Sequence, residues 1–174
     1  ATPFDIQVLT PMRKGVLGVE TLNQILQEYV NPPAPGKAEH ECEGTLFRQG
    51  DKVMQIRNNY RIEWEVVSKY GIPIDKGLGI FNGDMGMIEM LDNGSKTIQV
   101  RFEDKLATYS FENQDQLEHA YAVTVHKSQG SEFEAVVMPL ERRHPRLHYR
   151  NLLYTAVTRA RRLLIMTGQK ETVY

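Results

Sequence analysis

The side chains that could do chemistry are concentrated in residues 124–132, which lie between two apolar runs. This loop combines hydroxyls, an imidazole, an amine, an amide, a carboxylate and a glycine. Its polar members and its glycine are Thr124, His126, Lys127, Ser128, Gln129, Gly130, Ser131 and Glu132. Because a glycine lets a ligand approach the backbone N–H without obstruction, the loop suits a phosphate group. Ser128 or Ser131 alone is explained as well by a helix cap, whereas the whole cluster favours a binding site.

Arg159 is a second candidate, in a segment that predicts a helix. The residues expected on the buried face of this helix are Leu152, Leu153, Ala156, Val157 and Ala160. By the same periodicity Arg159 falls on the polar side. A planar, permanently charged guanidinium can stabilise the charge that spreads over transferring phosphoryl oxygens. Arg161 and Arg162 are better explained as members of surface ion pairs.

Arg13 is a third candidate, because it directly follows the first predicted strand, at the end of an α/β sheet where ligands bind. Lys14 beside it is explained equally well by solvation. The sequence contains no G-x-x-x-x-G-K-[ST] phosphate loop, and no apolar strand ends in an acidic pair for magnesium. The main triphosphate and metal ligands are therefore expected from another domain.

The elements that must position these residues follow an α/β pattern. Residues 4–9 predict a strand, and apolar residues recur at helical spacing from Val19 to Val30 until Asn31-Pro-Pro33 ends the helix. Residues 135–140 and 163–166 predict buried strands. The predicted fold class is therefore α/β, with a parallel sheet and flanking helices.

Residues 45–116 interrupt this pattern and predict a small inserted β-barrel. Hairpin turn signals occur at Asn82-Gly83 and at 92–94, and the apolar residues Ile98, Val100 and Phe102 alternate with polar ones. The predicted domains are therefore 1–44 with 117–174, and 45–116 as the insertion.

The composition is that of a globular protein. The chain has 174 residues, of which 41% are hydrophobic and 25% charged. No apolar run approaches the roughly 20 residues that a membrane-spanning helix needs. The single cysteine, Cys42, allows neither an internal disulfide nor a cysteine zinc site, which fits a reducing cytoplasm. Because the chain starts at Ala1 directly before a predicted strand, we interpret it as a fragment of a longer protein.

The charge is unevenly distributed along the chain. The net charge is −1, yet residues 141–162 contain one acid and seven arginines. The arginines stand at positions 142, 143, 146, 150, 159, 161 and 162. Such a local cationic surface suits phosphates better than the net charge indicates.

Four segments resemble the motifs of RecD-like superfamily 1 DNA helicases, the family of the exodeoxyribonuclease V alpha subunit. Residues 121–134 resemble motif V and residues 153–160 resemble motif VI. Residues 9–15 resemble motif IV, and residues 47–60 resemble the opening of the SH3-like insertion. The resemblance covers nearly the whole chain and implies a second RecA-like domain interrupted by an SH3-like β-barrel.

The resemblance also implies a role for individual residues. Arg13 and Arg159 resemble the two arginines that reach the γ-phosphate of ATP from across an interdomain cleft. Gln129, Gly130 and Glu132 stand where the family contacts the nucleotide. The phosphate loop and the main Mg²⁺ ligands would lie in the absent first domain. The residues implied to contact single-stranded DNA are Thr10, Thr124, His126 and Lys127, extended on the barrel by Arg57, Asn58, Asn59 and Tyr60.

The implied function is the carboxyl-terminal motor half of an ATP-dependent helicase that moves 5′ to 3′ in DNA repair and recombination. Its partners would be single-stranded DNA, the first RecA-like domain of the same protein and other subunits of a RecBCD-type complex. The implied location is the cytoplasm, without a membrane partner. The chain alone is expected to lack ATPase activity, and Arg159 is expected to be exposed in it.

Two alternatives stay open from the sequence. A conjugative relaxase fused to a RecD-like motor would show the same motifs, and only the upstream region separates the two. A non-catalytic DNA- or protein-binding module built on the barrel is the other, since the chain lacks a phosphate loop. That module has no need for both Arg159 and the loop 129–132.

Overall fold

The computed structural model describes residues 5–140 and 149–168. In chain order its helices and strands are β1 (Ile6–Thr10), α1 (Val19–Val30), β2 (Glu39–Cys42), β3 (Thr45–Arg48), β4 (Lys52–Gln55), β5 (Asn59–Val67), β6 (Pro73–Ile80), β7 (Met85–Asp92), β8 (Thr97–Phe102), β9 (Lys105–Ser110), β10 (Leu117–His119), β11 (Ala122–Thr124), β12 (Phe133–Pro139), α2 (Tyr149–Arg159) and β13 (Ala160–Thr167). Short 3₁₀ turns span Phe111–Gln116 and His126–Ser128.

The described residues form two compact units. The first, which we call the parallel-sheet unit, consists of the described parts of 1–30 and 121–174. The second, the antiparallel unit, consists of residues 31–120. The chain therefore leaves the first unit after α1 and returns to it just before β11.

The parallel-sheet unit is built on four parallel strands in the order β11-β1-β12-β13. Helix α1 packs against β11, and helix α2 packs against β12 and β13. The predicted parallel sheet with flanking helices is confirmed. Helix α1 ends at Val30, where Asn31-Pro-Pro33 follows, because a proline ring excludes the residue before it from helical geometry.

The buried side of α1 is polar beyond its first turn. Val19, Asn23 and Gln27 are buried, whereas Ile25 is 47% and Tyr29 83% exposed. The apolar periodicity therefore predicted the helix but not the side that it buries. Asn23 is buried because its amide hydrogen-bonds the backbone of strand β11, a partner that lies far along the chain.

Helix α2 buries fewer of its apolar residues than the sequence predicts. Ala156 is fully buried, and Leu152, Leu153 and Ala160 are partly buried. Val157 is 50% exposed, so its predicted place on the buried face is wrong. The residue follows Ala156 directly and is therefore turned about 100° around the helix, away from the side that contacts the sheet.

The antiparallel unit contains a seven-stranded sheet in the order β10-β4-β7-β8-β9-β5-β6 and the separate hairpin β2–β3. The predicted turns at Asn82-Gly83 and 92–94 connect β6 to β7 and β7 to β8. In β8 the predicted alternation is confirmed, since Ile98, Val100 and Phe102 are buried. The core of the unit is formed by Phe47, Val53, Ile62, Ile80, Ile88, Leu91, Ile98, Val100, Phe102, Ala107, Tyr109 and Leu117.

A buried carboxylate joins the two ends of the antiparallel unit. Asp51 is fully buried, and its Oδ1 accepts a hydrogen bond from Nδ2 of Asn31 at 2.8 Å. Its Oδ2 accepts from the backbone N of Arg48 at 2.7 Å and lies 3.0 Å from Nε2 of His119. We call these four residues the Asp51 cluster. The unit extends beyond the 45–116 drawn from the sequence because Asn31 and His119 both belong to this cluster.

The same contacts decide the ionisation of Asp51. Burial opposes the charged form, but the hydrogen bonds from His119, Asn31 and the backbone of Arg48 hold the pKa of this carboxyl below its usual range. Arg48 is itself buried, and its Nη1 donates to the carbonyl of Asn31 at 2.6 Å. Both carboxylate oxygens of Asp51 therefore have hydrogen-bond partners within the antiparallel unit.

Candidate functional site

Two loops leave the same end of the parallel sheet. Strand β1 ends at Thr10 and strand β11 at Thr124, and these two threonines are register partners. The backbone N–H of Val125 donates to the carbonyl of Thr10 at 3.1 Å. The segments 11–18 and 125–132 therefore begin side by side at the carboxyl ends of parallel strands, where α/β sheets bind ligands.

Two hydroxyl groups fold the loop 124–132. Oγ1 of Thr124 accepts a hydrogen bond from the backbone N of Lys127 at 3.3 Å, and Oγ of Ser128 donates to the carbonyl of Val125 at 2.6 Å. Ser128 is fully buried, and its carbonyl accepts from the backbone N of Ser131 at 3.1 Å. Ser128 therefore stabilises the loop as a compact turn, through a bond to a carbonyl within the turn and not as the helix cap that the sequence suggested.

The residues at the tip of this turn are exposed. His126, Gln129 and Gly130 are accessible, and Lys127 is partly buried. Gly130 has φ +87°, and a Cβ atom built on it would meet no atom within 4 Å. Glycine is favoured there by its backbone conformation, and the open space leaves a ligand free to approach.

Arg159 contacts this loop from the end of α2. Its Nη1 donates to the carbonyl of Ser131 at 3.2 Å, and its Nη2 lies 3.4 Å from Oγ1 of Thr158. Its Nε is buried and has no acceptor among the described residues. The expectation that Arg159 is exposed in this chain is wrong, because the loop 124–132 partly covers its guanidinium.

Glu132 takes part in a surface ion pair. Its Oε2 accepts from Nε of Arg161 at 2.9 Å, and the two side chains are 54% and 59% exposed. Nη1 of Arg162 lies 3.8 Å from Glu134. The prediction of surface ion pairs for Arg161 and Arg162 is confirmed. Such exposed pairs contribute only about 0–1 kcal/mol, so Glu132 can exchange this partner readily.

The loop after β1 is closed by Thr10. This residue is fully buried, its Oγ1 donates to the carbonyl of Leu17 at 2.7 Å, and it accepts from the backbone N of Met12 at 3.4 Å. A direct DNA contact of the Thr10 side chain would require it to leave this position. Arg13 is exposed on the loop that Thr10 closes.

The two asparagines of the antiparallel unit that were predicted to contact DNA hold a turn. Oδ1 of Asn58 accepts from the backbone N of Asn82 at 2.9 Å. Nδ2 of Asn59 donates to Oε1 of Gln116 at 2.9 Å, and its Oδ1 accepts from the backbone N of Arg61 at 2.9 Å. These amides therefore stabilise the start of β5.

The neighbouring Tyr60 and Arg57 lie at the surface. Tyr60 is 67% exposed and packs edge-on against Phe81, with ring centroids 5.6 Å apart. Arg57 pairs with Asp115 at 2.8 Å, and its side chain is 61% exposed. Of the four barrel residues predicted to contact DNA, Tyr60 thus offers an accessible aromatic ring.

Comparison with known proteins connects both units to one family. The family model of the ATP-dependent RecD-like DNA helicase SH3 domain matches residues 22–102. The model of the UvrD-like helicase C-terminal domain matches residues 119–167. The chain belongs to the RecD-like helicase family. The predicted fold class, a RecA-like parallel sheet interrupted by an SH3-like insertion, is confirmed for this RecD-like chain.

The relatives are longer proteins. The ATP-dependent RecD2 DNA helicase of Deinococcus radiodurans is 37% identical over 166 residues, which are 95% of this RecD-like chain and 20% of the relative. The RecBCD enzyme subunit RecD of Mycolicibacterium smegmatis is 33% identical over 173 residues, 99% of this chain and 27% of the relative. The chain therefore spans about a fifth to a quarter of their length.

A solved structure shows the same fold. The crystal structure of Bacteroides Pif1 bound to ssDNA covers 94% of this chain, with a TM-score of 0.53 and 14% identity, and the chain covers 40% of it. This likeness shows the fold alone. The family matches and the relatives identify the chain as the carboxyl-terminal part of a RecD-like superfamily 1 helicase motor domain.

Some predictions fall on residues that the structure does not describe. The arginines at 142, 143 and 146 and the side chain of Arg150 lie outside the described residues. Within 5–140 and 149–168, no helix is long and apolar enough to cross a membrane. In the same ranges no group of histidine, cysteine and acidic side chains is arranged to hold a metal ion.

Two residues that position the RecD-like loops were missed by the sequence interpretation. Gly18 lies where a Cβ atom would come within 2.5 Å of the carbonyl carbon of Lys14, so the loop after β1 needs glycine there. Asn23 bonds the strand that leads to Thr124. No local signal marks Asn23, because its partner lies 99 positions further along the chain.

Proposed function

We propose that this chain is the carboxyl-terminal motor half of an ATP-dependent DNA helicase that moves along single-stranded DNA from 5′ to 3′. The observation that carries the proposal is the state of Arg159, whose guanidinium is held against the loop 124–132 while its buried Nε has no described acceptor. A buried donor without an acceptor is unfavourable by about 1–3 kcal/mol, and more for a charged group. An anionic ligand at this position would remove that penalty.

The nucleotide is assigned to the carboxyl-terminal part of the loop. Gly130 is exposed, and the space around it lets a ligand reach its backbone N–H. Gln129 is exposed beside it, and among the described residues Glu132 contacts Arg161 in a surface ion pair. These three residues, with Arg13 and Arg159, would hold ATP together with the first RecA-like domain of the same protein.

ATP, when bound, supplies the γ-phosphoryl group whose hydrolysis drives movement. Arg159 stabilises the negative charge on that group, because a guanidinium stays charged and presents several donors at once. Arg13 adds a second cation from the neighbouring loop. The phosphate loop and the main Mg²⁺ ligands are assigned to the first RecA-like domain, since the sequence of this chain contains no phosphate loop.

Single-stranded DNA is assigned to the amino-terminal part of the same loop. His126 is exposed at its tip, and the hydroxyl of Thr124 and the backbone of Lys127 are joined there by a hydrogen bond. Contacts from such groups to the sugar-phosphate backbone position a strand without reading its sequence. On the antiparallel unit, Tyr60 offers a ring on which a base can stack.

One loop thus connects the nucleotide to the DNA. Its end at Ser131 accepts from Arg159, and its tip at His126 is five residues earlier. When Arg159 turns from the Ser131 carbonyl to a phosphate, the loop loses one of its restraints. A loop that has one conformation with ATP bound and another after hydrolysis changes its contacts with DNA in each round of hydrolysis. The 5′-to-3′ direction is proposed from the family, as is assembly into a RecBCD-type complex.

The deciding experiment is Arg159→Ala in the full-length protein, with Arg162→Ala as the matched control. Both changes remove one arginine, but Arg162 is exposed and contacts only Glu134 among the ion pairs described. Arginines of this kind contribute about 10³–10⁵-fold to turnover in nucleotide hydrolases. We expect DNA-stimulated ATPase activity to fall by that factor for Arg159→Ala and to stay within about threefold for the control.

Two results would overturn the proposal. ATPase activity of the Arg159→Ala protein within a few-fold of wild type would exclude the assigned role. ATPase activity of the isolated chain, stimulated by single-stranded DNA, would exclude the split site.

A further inference from the structure

Strand β11 leads directly into the loop 124–132, and it is weakly supported by its sheet. It is three residues long and lies at the edge of the four-stranded sheet. Its described backbone pairing is with β1, through the partners Val8 with Ala122, Leu9 with Val123 and Thr10 with Thr124. A strand this short needs a second set of restraints to hold its position.

The side chain of Asn23 supplies those restraints from helix α1. Its Nδ2 donates to the carbonyl of Ala122 at 2.9 Å, and its Oδ1 accepts from the backbone N of Ala122 at 2.8 Å. An amide that exchanges both hydrogen bonds with one residue reproduces what a neighbouring antiparallel strand does. Asn23 therefore acts in the place of a further strand.

Burial makes this exchange specific. Asn23 is 5% exposed and Ala122 is fully buried, so an unsatisfied N–H or carbonyl of Ala122 would be costly. Asparagine carries one acceptor and one donor group on a short side chain, which matches the two backbone groups of Ala122. This match explains a polar residue on the buried side of α1.

A second side chain holds the preceding residue. Nε2 of Gln7, a fully buried residue of β1, donates to the carbonyl of Tyr121 at 3.1 Å. Tyr121 and Ala122 are thus tied by side chains from a strand and from a helix. Two residues later Thr124 caps the turn of the loop, so the position of Ala122 determines where the loop begins.

We infer that Asn23 is a positioning residue, which holds β11 as a surrogate strand and so sets the grip of the loop 124–132 on single-stranded DNA. The part concerning DNA rests on the proposed function, whereas the part concerning β11 does not. Asn23 itself contacts neither nucleotide nor DNA in this inference, because it is buried behind the strand.

The first experiment uses the 174-residue chain and measures amide hydrogen exchange at Ala122. Asn23→Leu keeps the approximate size of the side chain and removes both hydrogen bonds. Asn23→Asp keeps the oxygen that accepts from the Ala122 N–H. Leu26→Ala, on the same helix, is the control for a general loss of packing.

We expect Asn23→Leu to speed exchange at Ala122 by about tenfold relative to the other strands of the sheet, the effect of losing the hydrogen bond that the Ala122 N–H itself donates. Asn23→Asp should keep Ala122 protected relative to Asn23→Leu, and Leu26→Ala should change the exchange of the strands uniformly. Unchanged exchange at Ala122 in Asn23→Leu, or the same pattern in Leu26→Ala, would overturn the role of Asn23.

The second experiment uses the full-length protein and separates binding from turnover. We expect Asn23→Leu to raise the DNA concentration for half-maximal stimulation of ATPase by about tenfold. The maximal turnover should stay within about twofold. A reduced maximal turnover with unchanged DNA dependence would overturn the inference. Absence of DNA-stimulated turnover in the wild-type protein would instead refute the proposed function, and the exchange experiment would still decide the role of Asn23 in holding β11.

Discussion

The Asp51 cluster of the antiparallel unit and the Arg159 contact of the parallel-sheet unit differ in whether their buried hydrogen-bonding atoms are satisfied. In the antiparallel unit both oxygens of Asp51 accept hydrogen bonds, and the partners come from both ends of the unit. In the parallel-sheet unit Arg159 reaches the carbonyl of Ser131, but its buried Nε has no acceptor among the described residues.

On the proposed function, the difference distinguishes a cluster that stabilises the fold from an arginine that binds an anion. A buried charge whose atoms are all paired holds the fold, and removing one partner leaves the others uncompensated. A partly covered cation with one buried, unsatisfied donor is unfavourable in the chain alone and becomes favourable when an anion binds. The Asp51 cluster is therefore expected to respond to mutation through stability, and Arg159 through activity.

The largest expected effect on stability is that of Asp51→Ala. The change leaves the amide of Asn31, the backbone N–H of Arg48 and the ring of His119 without their shared acceptor. Breaking a buried pair of this kind costs about 3–5 kcal/mol. Urea unfolding of the chain, followed by circular dichroism, measures the change.

The matched change in the other cluster is Arg159→Ala, which should alter the free energy of unfolding by less than about 1 kcal/mol. It removes a hydrogen bond to Ser131 together with an unsatisfied donor, and the two effects oppose each other. A loss above about 3 kcal/mol would show that Arg159 is structural and would remove the contrast between the clusters.

The pH dependence of stability sharpens the comparison further. Because the folded-state pKa of Asp51 is below its ordinary value, its contribution is fully present above that value and is lost as the pH falls through the lower, folded-state pKa. Asp51→Asn should therefore flatten the decline of stability in acid. The measurement is the free energy of unfolding between about pH 2 and pH 6, a range that spans the ordinary pKa of aspartate.

Two other carboxyls also have a lowered pKa and provide the background for this experiment. A hydrogen bond from Arg101 lowers the pKa of Glu89, and hydrogen bonds from Ser95 and Gly94 lower that of Asp92. Their contribution is the same in wild type and Asp51→Asn, so the difference reports Asp51. Equal slopes in the two proteins would contradict the prediction.

An effect smaller than that of Asp51→Ala, but larger than that of Arg159→Ala, is expected from Gly130→Ala in the site loop. The residue has φ +87° and open space around it, so the change introduces backbone strain without a steric clash. Strain of this kind costs about 1–2 kcal/mol. Gly130→Asn is the control, because asparagine adopts left-handed backbone more easily, and thermal unfolding should rank wild type, asparagine and alanine in that order.

The smallest effect is expected from Arg161→Ala, which removes the ion pair with Glu132. Both side chains are more than half exposed, so the loss should be about 0–1 kcal/mol and should shrink at high salt. Arg162→Ala is the control, with a longer contact of 3.8 Å to Glu134. A loss of about 2 kcal/mol or more, beyond the range for an exposed pair, would mean that Glu132 is not free to exchange partners.

Much of the fold follows from local pattern. The helix from Val19 to Val30, the alternation in β8 and the turn at Asn82-Gly83 are all encoded by residues that are neighbours in the sequence. The buried side of α1 is not, because Asn23 bonds a residue 99 positions further along the chain. The same limit applies to the ends of the antiparallel unit, where Asn31 and His119 are both joined to Asp51 by contacts between distant parts of the chain.

The candidate site divides in the same way. The sequence itself supplies the residue types of the site, including the glycine at position 130. Helical spacing predicted that Arg159 lies on the polar side of α2. The hydroxyls that fold the loop were only partly readable from the sequence. A helix cap was expected of Ser128, but its hydroxyl bonds the carbonyl of Val125 within the turn. Thr124 was expected to contact DNA, and its Oγ1 accepts from the backbone N of Lys127. A short polar side chain can bond its own backbone or a ligand, and sequence does not distinguish the two.

By itself the sequence determined the periodicities, the turns and the chemical groups of the loop 124–132, because each of these depends on covalent neighbours. The tertiary structure decided which of those groups remain available. It placed the carbonyl of Ser131 against Arg159 and left Nε without a described acceptor. Hydrogen-bond satisfaction depends on atoms brought together from distant parts of the chain, and that is why only the folded protein reveals it.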